Sequence, residues 1–202
     1  DAIHMCGVIA CQQRKYQLGY QLISKAIHIN NPNIAITYKN LGLVLQELRQ
    51  LDAAIASYDH AIAIKPDYAE AHYNRGNALN ELKQLVAAAA TYDRAIAIMP
   101  YYAEAYYNRG IVLQELKQLD AALQSYDKAL QIRPDLEFLY GMRLHIKMQI
   151  CDWDKAKMQF FELENKVLHN EIATSPLPLF GIKDSLGLQR KSAELFSQHK
   201  FH

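Results

Sequence analysis

The chain has 202 residues, 50% of them hydrophobic, and its 22 basic and 21 acidic side chains leave a formal net charge of +1. This near-neutral charge, without a long run of either sign, disfavours nucleic acid and anionic membranes as partners. No apolar run reaches the roughly 18 residues needed to cross a bilayer, and the first residues do not resemble a secretion signal. We therefore expect a cytoplasmic protein with a sizeable core.

A repeat of 34 residues dominates the sequence. Four residue types return at this interval, in Gly42, Gly76 and Gly110, in Ala54, Ala88 and Ala122, in Tyr58, Tyr92 and Tyr126, and in Pro66, Pro100 and Pro134. A period in this range indicates stacked supersecondary units rather than a single globule. Apolar residues at three- and four-residue steps flank a short turn at Lys83 and Gln84, so each unit is predicted to be an antiparallel helix pair.

In chain order, the pattern predicts a degenerate repeat, three clear repeats, a degenerate hairpin, and a linker with a C-terminal amphipathic helix. Their bounds are 1–34, 35–68, 69–102, 103–136, 137–170 and 171–202. Because the chain opens in mid-pattern, we expect the natural polypeptide to extend further upstream. In the degenerate hairpin Leu144 replaces the glycine, and Trp153 with Asp154 is predicted to begin the second helix. Asp184 or Ser185 is predicted to cap the last helix.

The residues of the 35–68 unit resemble the tetratricopeptide repeat (TPR). Its signature positions are occupied by Tyr38, Leu41, Gly42, Leu45, Ala54, Tyr58, Ala61 and Pro66. The next two units depart from the signature at His72, Arg75 and Arg109. The resemblance implies an all-α fold, a right-handed superhelical solenoid of TPR helix-turn-helix repeats that binds a protein or extended peptide in its concave groove.

Three asparagines share one position on the predicted first helices. Stacking would bring Asn40, Asn74 and Asn108 into a row, and a side-chain amide offers the donor and the acceptor that an extended backbone needs. The alternative is that each amide only caps a helix or bonds to a neighbouring carbonyl. Further side chains are predicted to line the same wall, either as binding groups or as a solvated face with core tyrosines: Tyr73, Tyr107 and Asn77, with Glu47, Glu81 and Glu115.

Arg75 and Arg109 occupy positions that are normally apolar, and an unpaired buried guanidinium would cost several kcal/mol. We expect both to pair with carboxylates that also recur every 34 residues. The candidates are Asp93 and Asp127, or Asp59 and Asp93 of the preceding repeats.

No metal, cofactor or catalytic site is predicted. The three cysteines and eight histidines lack metal-ligand spacing, and the sequence contains no glycine-rich phosphate loop. We therefore expect this chain not to be an enzyme by itself.

Two segments near the C-terminus resemble the junction between repeats and catalytic region in bacterial O-GlcNAc-transferase-like (SPINDLY-like) proteins: MQICDW at 148–153 and SPLPLFGIKDSLGLQRKSAELF at 175–196. The matching residues are Cys151, Asp152, Trp153, Asp184, Leu188, Gln189, Arg190 and Ala193. In that family the same asparagine position forms a peptide-binding ladder. The resemblance implies the docking arm of a larger glycosyltransferase. A stand-alone adaptor for protein assembly, or self-association through an end repeat such as 1–34, is the alternative.

Overall fold

The computed structural model describes residues 2–29, 33–169, 171–174 and 186–201, and within them every regular element is an α-helix. The helices are α1 (Ala2–Gln12), α2 (Tyr16–Ile27), α3 (Ile34–Glu47), α4 (Leu51–Ile64), α5 (Ala69–Glu81), α6 (Leu85–Ile98), α7 (Ala103–Glu115), α8 (Leu119–Ile132), α9 (Leu139–Gln149), α10 (Ala156–Leu168) and α11 (Leu186–Phe201). The predicted all-helical repeat fold is confirmed. The chain forms two compact units, residues 1–112 and 113–202.

In the first unit the helices pair as hairpins, and consecutive hairpins are neighbours because α2 contacts α3 and α4 contacts α5. The turns within the hairpins carry a residue with positive φ, Arg14, Arg49 and Lys83. In one of these turns the amide of Gln50 donates to the carbonyl of Leu45 at 2.8 Å, which closes the end of α3. The helices of each hairpin therefore run antiparallel, as the short turns predict.

A glycine against a buried tyrosine ring holds each hairpin together. A Cβ added at Gly42 would lie 2.4 Å from Cε1 of Tyr58, and one added at Gly76 would lie 2.6 Å from Cε1 of Tyr92. Both rings are completely buried. The glycine is needed because any larger side chain would occupy the space of the ring.

The hydroxyls of these tyrosines find their acceptors on the first helix of the same hairpin. Tyr58 donates to Gln46 Oε1 at 3.1 Å, but Tyr92 donates to Asn77 Oδ1 at 2.8 Å. Asn80 occupies the position of Gln46 one repeat later and is one methylene shorter. Its Oδ1 is buried and has no hydrogen-bond partner among the described residues. Such a buried, unpaired acceptor costs about 1–3 kcal/mol.

The expected arginine pairs are present. Arg75 on α5 contacts Asp59 on α4, and Arg109 on α7 contacts Asp93 on α6, each at 2.6 Å. The partner is thus the aspartate of the preceding repeat, so each pair ties one hairpin to the one before it. Arg75 also donates to Thr91 Oγ1 at 3.1 Å, which adds α6 to the contact.

The second unit repeats the ion pair, because Arg143 on α9 contacts Asp127 on α8, but its last hairpin is built differently. The close approach falls at Gly141, whereas Leu144 occupies the register of the glycine in the clear repeats. A Cβ on Gly141 would lie 2.0 Å from Oγ1 of Thr174, and its amide donates to the carbonyl of Ala173 at 2.9 Å. Residues 171–174 therefore lie against the start of α9.

The second helix of this hairpin begins at Ala156, so the prediction that Trp153 and Asp154 begin it is wrong. Asp152 accepts from the amide of Asp154 at 3.1 Å and forms an ion pair with Lys147 at 2.8 Å, which holds the chain in a turn before α10. Helix α11 contacts α10. Its predicted caps, Asp184 and Ser185, lie outside the described residues.

Substitution of Gly76 by Ala tests the contact between glycine and tyrosine. Alanine gains about 1 kcal/mol over glycine inside a helix, so a net loss requires a clash. We expect the Gly76→Ala variant to lose about 1–3 kcal/mol of unfolding free energy in urea titrations. The matched control is Gly187→Ala in α11, where an added Cβ meets nothing within 4 Å. Equal stability of the two variants would contradict the packing described here.

Substitution of Asn80 by Gln tests the unpaired acceptor. The longer side chain should take the hydroxyl hydrogen of Tyr92 from Asn77, as Gln46 takes that of Tyr58. Asn77 Oδ1 keeps its bond from Asn108 while the unpaired acceptor is removed, so the unfolding free energy should rise by about 1 kcal/mol. The control is the same change in a Tyr92→Phe background, which has no hydroxyl to donate. A gain of equal size in that background would show that the stabilisation has another cause.

Candidate functional site

The predicted row of asparagines lies within the first unit. Asn40, Asn74 and Asn108 occupy the same register position on α3, α5 and α7, and all three are partly buried. The first helices of successive hairpins are neighbours, since α1 contacts α3 and α3 contacts α5. We call these three residues the asparagine row. The structure places its members on consecutive first helices, but whether they bind a ligand remains a prediction.

Asn40 is joined to the first hairpin. Its Nδ2 lies 2.9 Å from Nε2 of His4, a buried residue on α1. Burial, and then the charge of Lys39, lowers the pKa of His4, so the imidazole is neutral near pH 7. A neutral ring nitrogen accepts the amide hydrogen. One hydrogen of the Asn40 side chain is therefore used within the protein, and its carbonyl oxygen has no hydrogen-bond donor among the described residues.

Asn108 is joined to the preceding repeat by two hydrogen bonds. Its Nδ2 donates to the hydroxyl of Tyr73 at 3.0 Å and to Oδ1 of Asn77 at 2.9 Å. Asn77 Oδ1 also accepts from the hydroxyl of Tyr92 at 2.8 Å. The core tyrosine of the hairpin is thus connected to the asparagine row through Asn77. Asn74 differs from both neighbours, because its side chain makes no hydrogen bond to any part of the chain that the structure describes.

The predicted aromatic residues of this wall are partly integrated into the core. The ring of Tyr73 lies 4.9 Å from that of Tyr102 and 6.0 Å from that of Tyr92. Burial raises the pKa of Tyr92 and of Tyr102, so both hydroxyls stay protonated and can donate. Tyr107 is partly buried and has a partner within the protein. Tyr73 and Asn77 therefore position Asn108 in addition to any contact with a ligand.

The predicted acidic margin is weaker than the sequence implies. Glu81 forms an ion pair with Arg49 at 2.7 Å and also accepts from the amide of Gln46. Glu81 is therefore paired within the protein although it stays exposed. Glu47 is also exposed and lies against the hydroxyl of Tyr16. Sequence patterns missed the pairing of Glu81 because Arg49 lies in a turn outside the predicted helices.

The described residues contain no group of three or more His, Cys, Asp or Glu side chains that could hold a metal ion. No helix among them combines the length and the apolar character needed to cross a bilayer.

Two family models match the middle of the chain. The model "Tetratricopeptide repeat" matches residues 103–136, and the model "TPR repeat" matches residues 47–83 and 76–117. No curated protein matches the chain.

Solved structures with similar folds include a crystal structure of MamA, with 20% identity, a TM-score of 0.68, and 97% of each chain covered. YrrB, described as a TPR protein with an unusual peptide-binding site, is 25% identical with a TM-score of 0.60 over 67% of this chain and 69% of that chain. The first TPR of Spaghetti (RPAP3), bound to the HSP90 peptide SRMEEVD, is 24% identical with a TM-score of 0.57 over 58% of this chain and 93% of that chain. The family models therefore match tetratricopeptide repeats over residues 47–136 of the chain.

Proposed function

We propose that the chain is a non-catalytic scaffold that binds an extended polypeptide along the asparagine row. The observation that carries the proposal is the state of Asn74, the central member. Its amide is partly buried on the first-helix face and makes no hydrogen bond within the described residues. Neither polar atom of this amide is among the buried atoms that lack a partner, so both are accessible, and a peptide backbone can supply a donor and an acceptor to them.

Asn40 and Asn108 support the same interpretation. Each uses its Nδ2 within the protein, and neither carbonyl oxygen is among the buried atoms that lack a partner. These two oxygens are therefore accessible to a ligand. Three amides on consecutive first helices would bind the main chain of a peptide rather than its side chains. Affinity would then depend little on peptide sequence.

Side chains beside the row would set a secondary preference. Tyr73 and Tyr107 offer aromatic surface, and Glu47 leaves one exposed carboxylate on α3. An aromatic and weakly acidic surface beside the row favours neutral or basic peptide segments over acidic ones. The solved structures of YrrB and of the RPAP3 repeat show that this fold serves peptide binding in other proteins.

We further propose that this scaffold is the substrate-docking arm of an O-GlcNAc-transferase-like enzyme. The support is the resemblance of the segments 148–153 and 175–196 to the junction in that family. In the first of them, Asp152 holds the turn before α10 through Lys147 and the amide of Asp154. The pair also lowers the pKa of the Asp152 carboxyl. The alternative is a stand-alone adaptor. Sequencing of the full reading frame tests the difference, and a frame without a glycosyltransferase region would rule out the docking arm.

Self-association through the end repeat of residues 1–34 is a separate candidate. Met5 and Ile9 on α1 are 55% and 47% exposed, whereas Val44 and Ala78, at the register of Ile9 in later repeats, are 3% and 0% exposed. The first hairpin thus exposes apolar positions that later hairpins bury. Sedimentation equilibrium of the chain and of an Ile9→Glu variant tests this candidate, and a monomer at high concentration would remove it.

The asparagine row is tested with a peptide selected from a phage-displayed random library by binding to this chain. We expect Asn74→Ala to weaken binding of that peptide about fivefold without loss of stability, because Asn74 has no bond to lose. The triple change of Asn40, Asn74 and Asn108 to Ala should weaken it at least about tenfold. Fluorescence anisotropy measures affinity, and thermal melts measure stability.

The matched control is the triple change of Gln50, Gln84 and Gln118 to Ala. These amides have the same spacing, lie exposed in the turns and make no capping hydrogen bond. Affinity should be unchanged in this variant. Equal affinity of the two triple variants, or a library that yields no binding peptide, would overturn the proposed function.

A further inference from the structure

The members of the asparagine row do not offer a ligand the same hydrogen-bonding groups. Asn74 has both ends of its amide unused within the described residues. Asn108 has none of its donor capacity left, because its two amide hydrogens point to the hydroxyl of Tyr73 and to Oδ1 of Asn77. What Asn108 can still offer is its carbonyl oxygen.

Asn77 fixes this orientation of the Asn108 amide. Its Oδ1 accepts a second hydrogen bond from the hydroxyl of Tyr92, which is completely buried and cannot move away. If the amide of Asn108 turned over, its carbonyl oxygen would face Asn77 Oδ1, and two acceptors would be brought together without a hydrogen between them. Reversal would also break both hydrogen bonds that Asn108 donates.

The carbonyl oxygen of Asn108 is accessible. No group in the part of the chain that the structure describes donates to it, and it is not among the buried atoms that lack a partner, unlike Oδ1 of Asn80. The network thus leaves one acceptor on α7 directed away from its own hydrogen-bonding partners. Because the carbonyl oxygen of Asn108 cannot turn away, a ligand must present a hydrogen-bond donor to it.

We propose, on the basis of the peptide-binding function above, that Asn108 acts as an acceptor-only position that takes a main-chain N–H from the peptide, and that Asn77 is its positioning residue. The peptide must therefore present a residue with a backbone N–H opposite Asn108, and proline is excluded there. Opposite Asn74 the peptide can present an N–H, a carbonyl or both. The row consequently has an ordered donor and acceptor requirement, which fixes the register of the bound chain.

An ester scan of the library-selected peptide tests this assignment. Each backbone amide is replaced in turn by an ester, which removes one N–H, and affinity is measured for the wild-type chain and for Asn108→Ala. We expect one ester position to weaken binding to wild type about fivefold and to have no further effect on Asn108→Ala. That coupling identifies the N–H that Asn108 accepts.

The outcomes separate this inference from the proposed function. If Asn108→Ala weakens binding of the unmodified peptide but no ester position couples to it, the acceptor assignment is overturned and the proposed function stands. If Asn108→Ala and Asn74→Ala both leave affinity unchanged, the proposed function fails as well. Thermal melts of Asn108→Ala verify that the variant is folded, and Asn108→Ser serves in its place if it is not.

The role of Asn77 is tested by the same coupling. The double variant Asn77→Ala with Tyr92→Phe removes the carboxamide of Asn77 together with the hydroxyl that donates to it. No buried hydroxyl is therefore left without an acceptor. The Asn108 amide then keeps only its contact with the hydroxyl of Tyr73, which can accept from the amide nitrogen or donate to the amide oxygen. Either end of the amide can therefore face the peptide, and the coupling should fall towards onefold. In the control Tyr92→Phe, Asn77 still accepts from Asn108 and the coupling should persist. Full coupling in the double variant would overturn the positioning role.

Discussion

The contact of a helix glycine with a fully buried tyrosine ring is the constraint on which the rest of this structure depends. At Gly42 and Gly76 the ring of the partner helix occupies the volume that a side chain would fill. This contact sets the distance between the two helices of a hairpin and the rotation of the first helix. Because both are the same in successive hairpins, a residue at one register position returns to an equivalent place, and Asn40, Asn74 and Asn108 can form a row.

The same tyrosines connect the interior to the candidate binding surface. Tyr92 bonds to Asn77, and Asn77 bonds to Asn108, so a side chain at the centre of a hairpin determines how an amide on its neighbour is oriented. Tyr58 bonds instead to Gln46, whose side-chain amide donates to Glu81 on α5 and not to a member of the asparagine row. The difference originates in one methylene, since Asn80 is too short to take the place of Gln46. The short side chain of Asn80 thus explains why the members of the asparagine row differ in their hydrogen bonds.

Most of the fold could be predicted from the sequence, because the 34-residue period and the helical spacing are local signals repeated several times. The arginine pairing was predicted only as two alternatives, because carboxylates recur on both sides of each arginine. In the last hairpin the prediction failed. Its second helix begins at Ala156 and not at Trp153 and Asp154. Its close approach lies at Gly141 because Thr174, which follows α10 in the chain, packs against α9. The 34-residue period carries no information about a contact with a segment outside the repeats.

The register of the candidate site was predictable, but its chemistry was not. Spacing alone places the asparagines on consecutive first helices. The direction of each amide depends on partners such as His4, Tyr73 and Asn77, whose side-chain positions follow from packing. The pairing of Glu81 with Arg49 likewise joins a helix to a turn.

The ion pairs between hairpins have a consequence for how the first unit loses structure. Arg75 with Asp59 and Arg109 with Asp93 fasten successive hairpins, but at the corresponding positions between the first two hairpins the sequence has Leu41 and Lys25. In a linear stack each hairpin is held only by its neighbours, so an end can fray while the remainder stays folded. Detachment of the first hairpin breaks no such ion pair. It would deprive Asn40 of His4 and leave Asn74 and Asn108 in place.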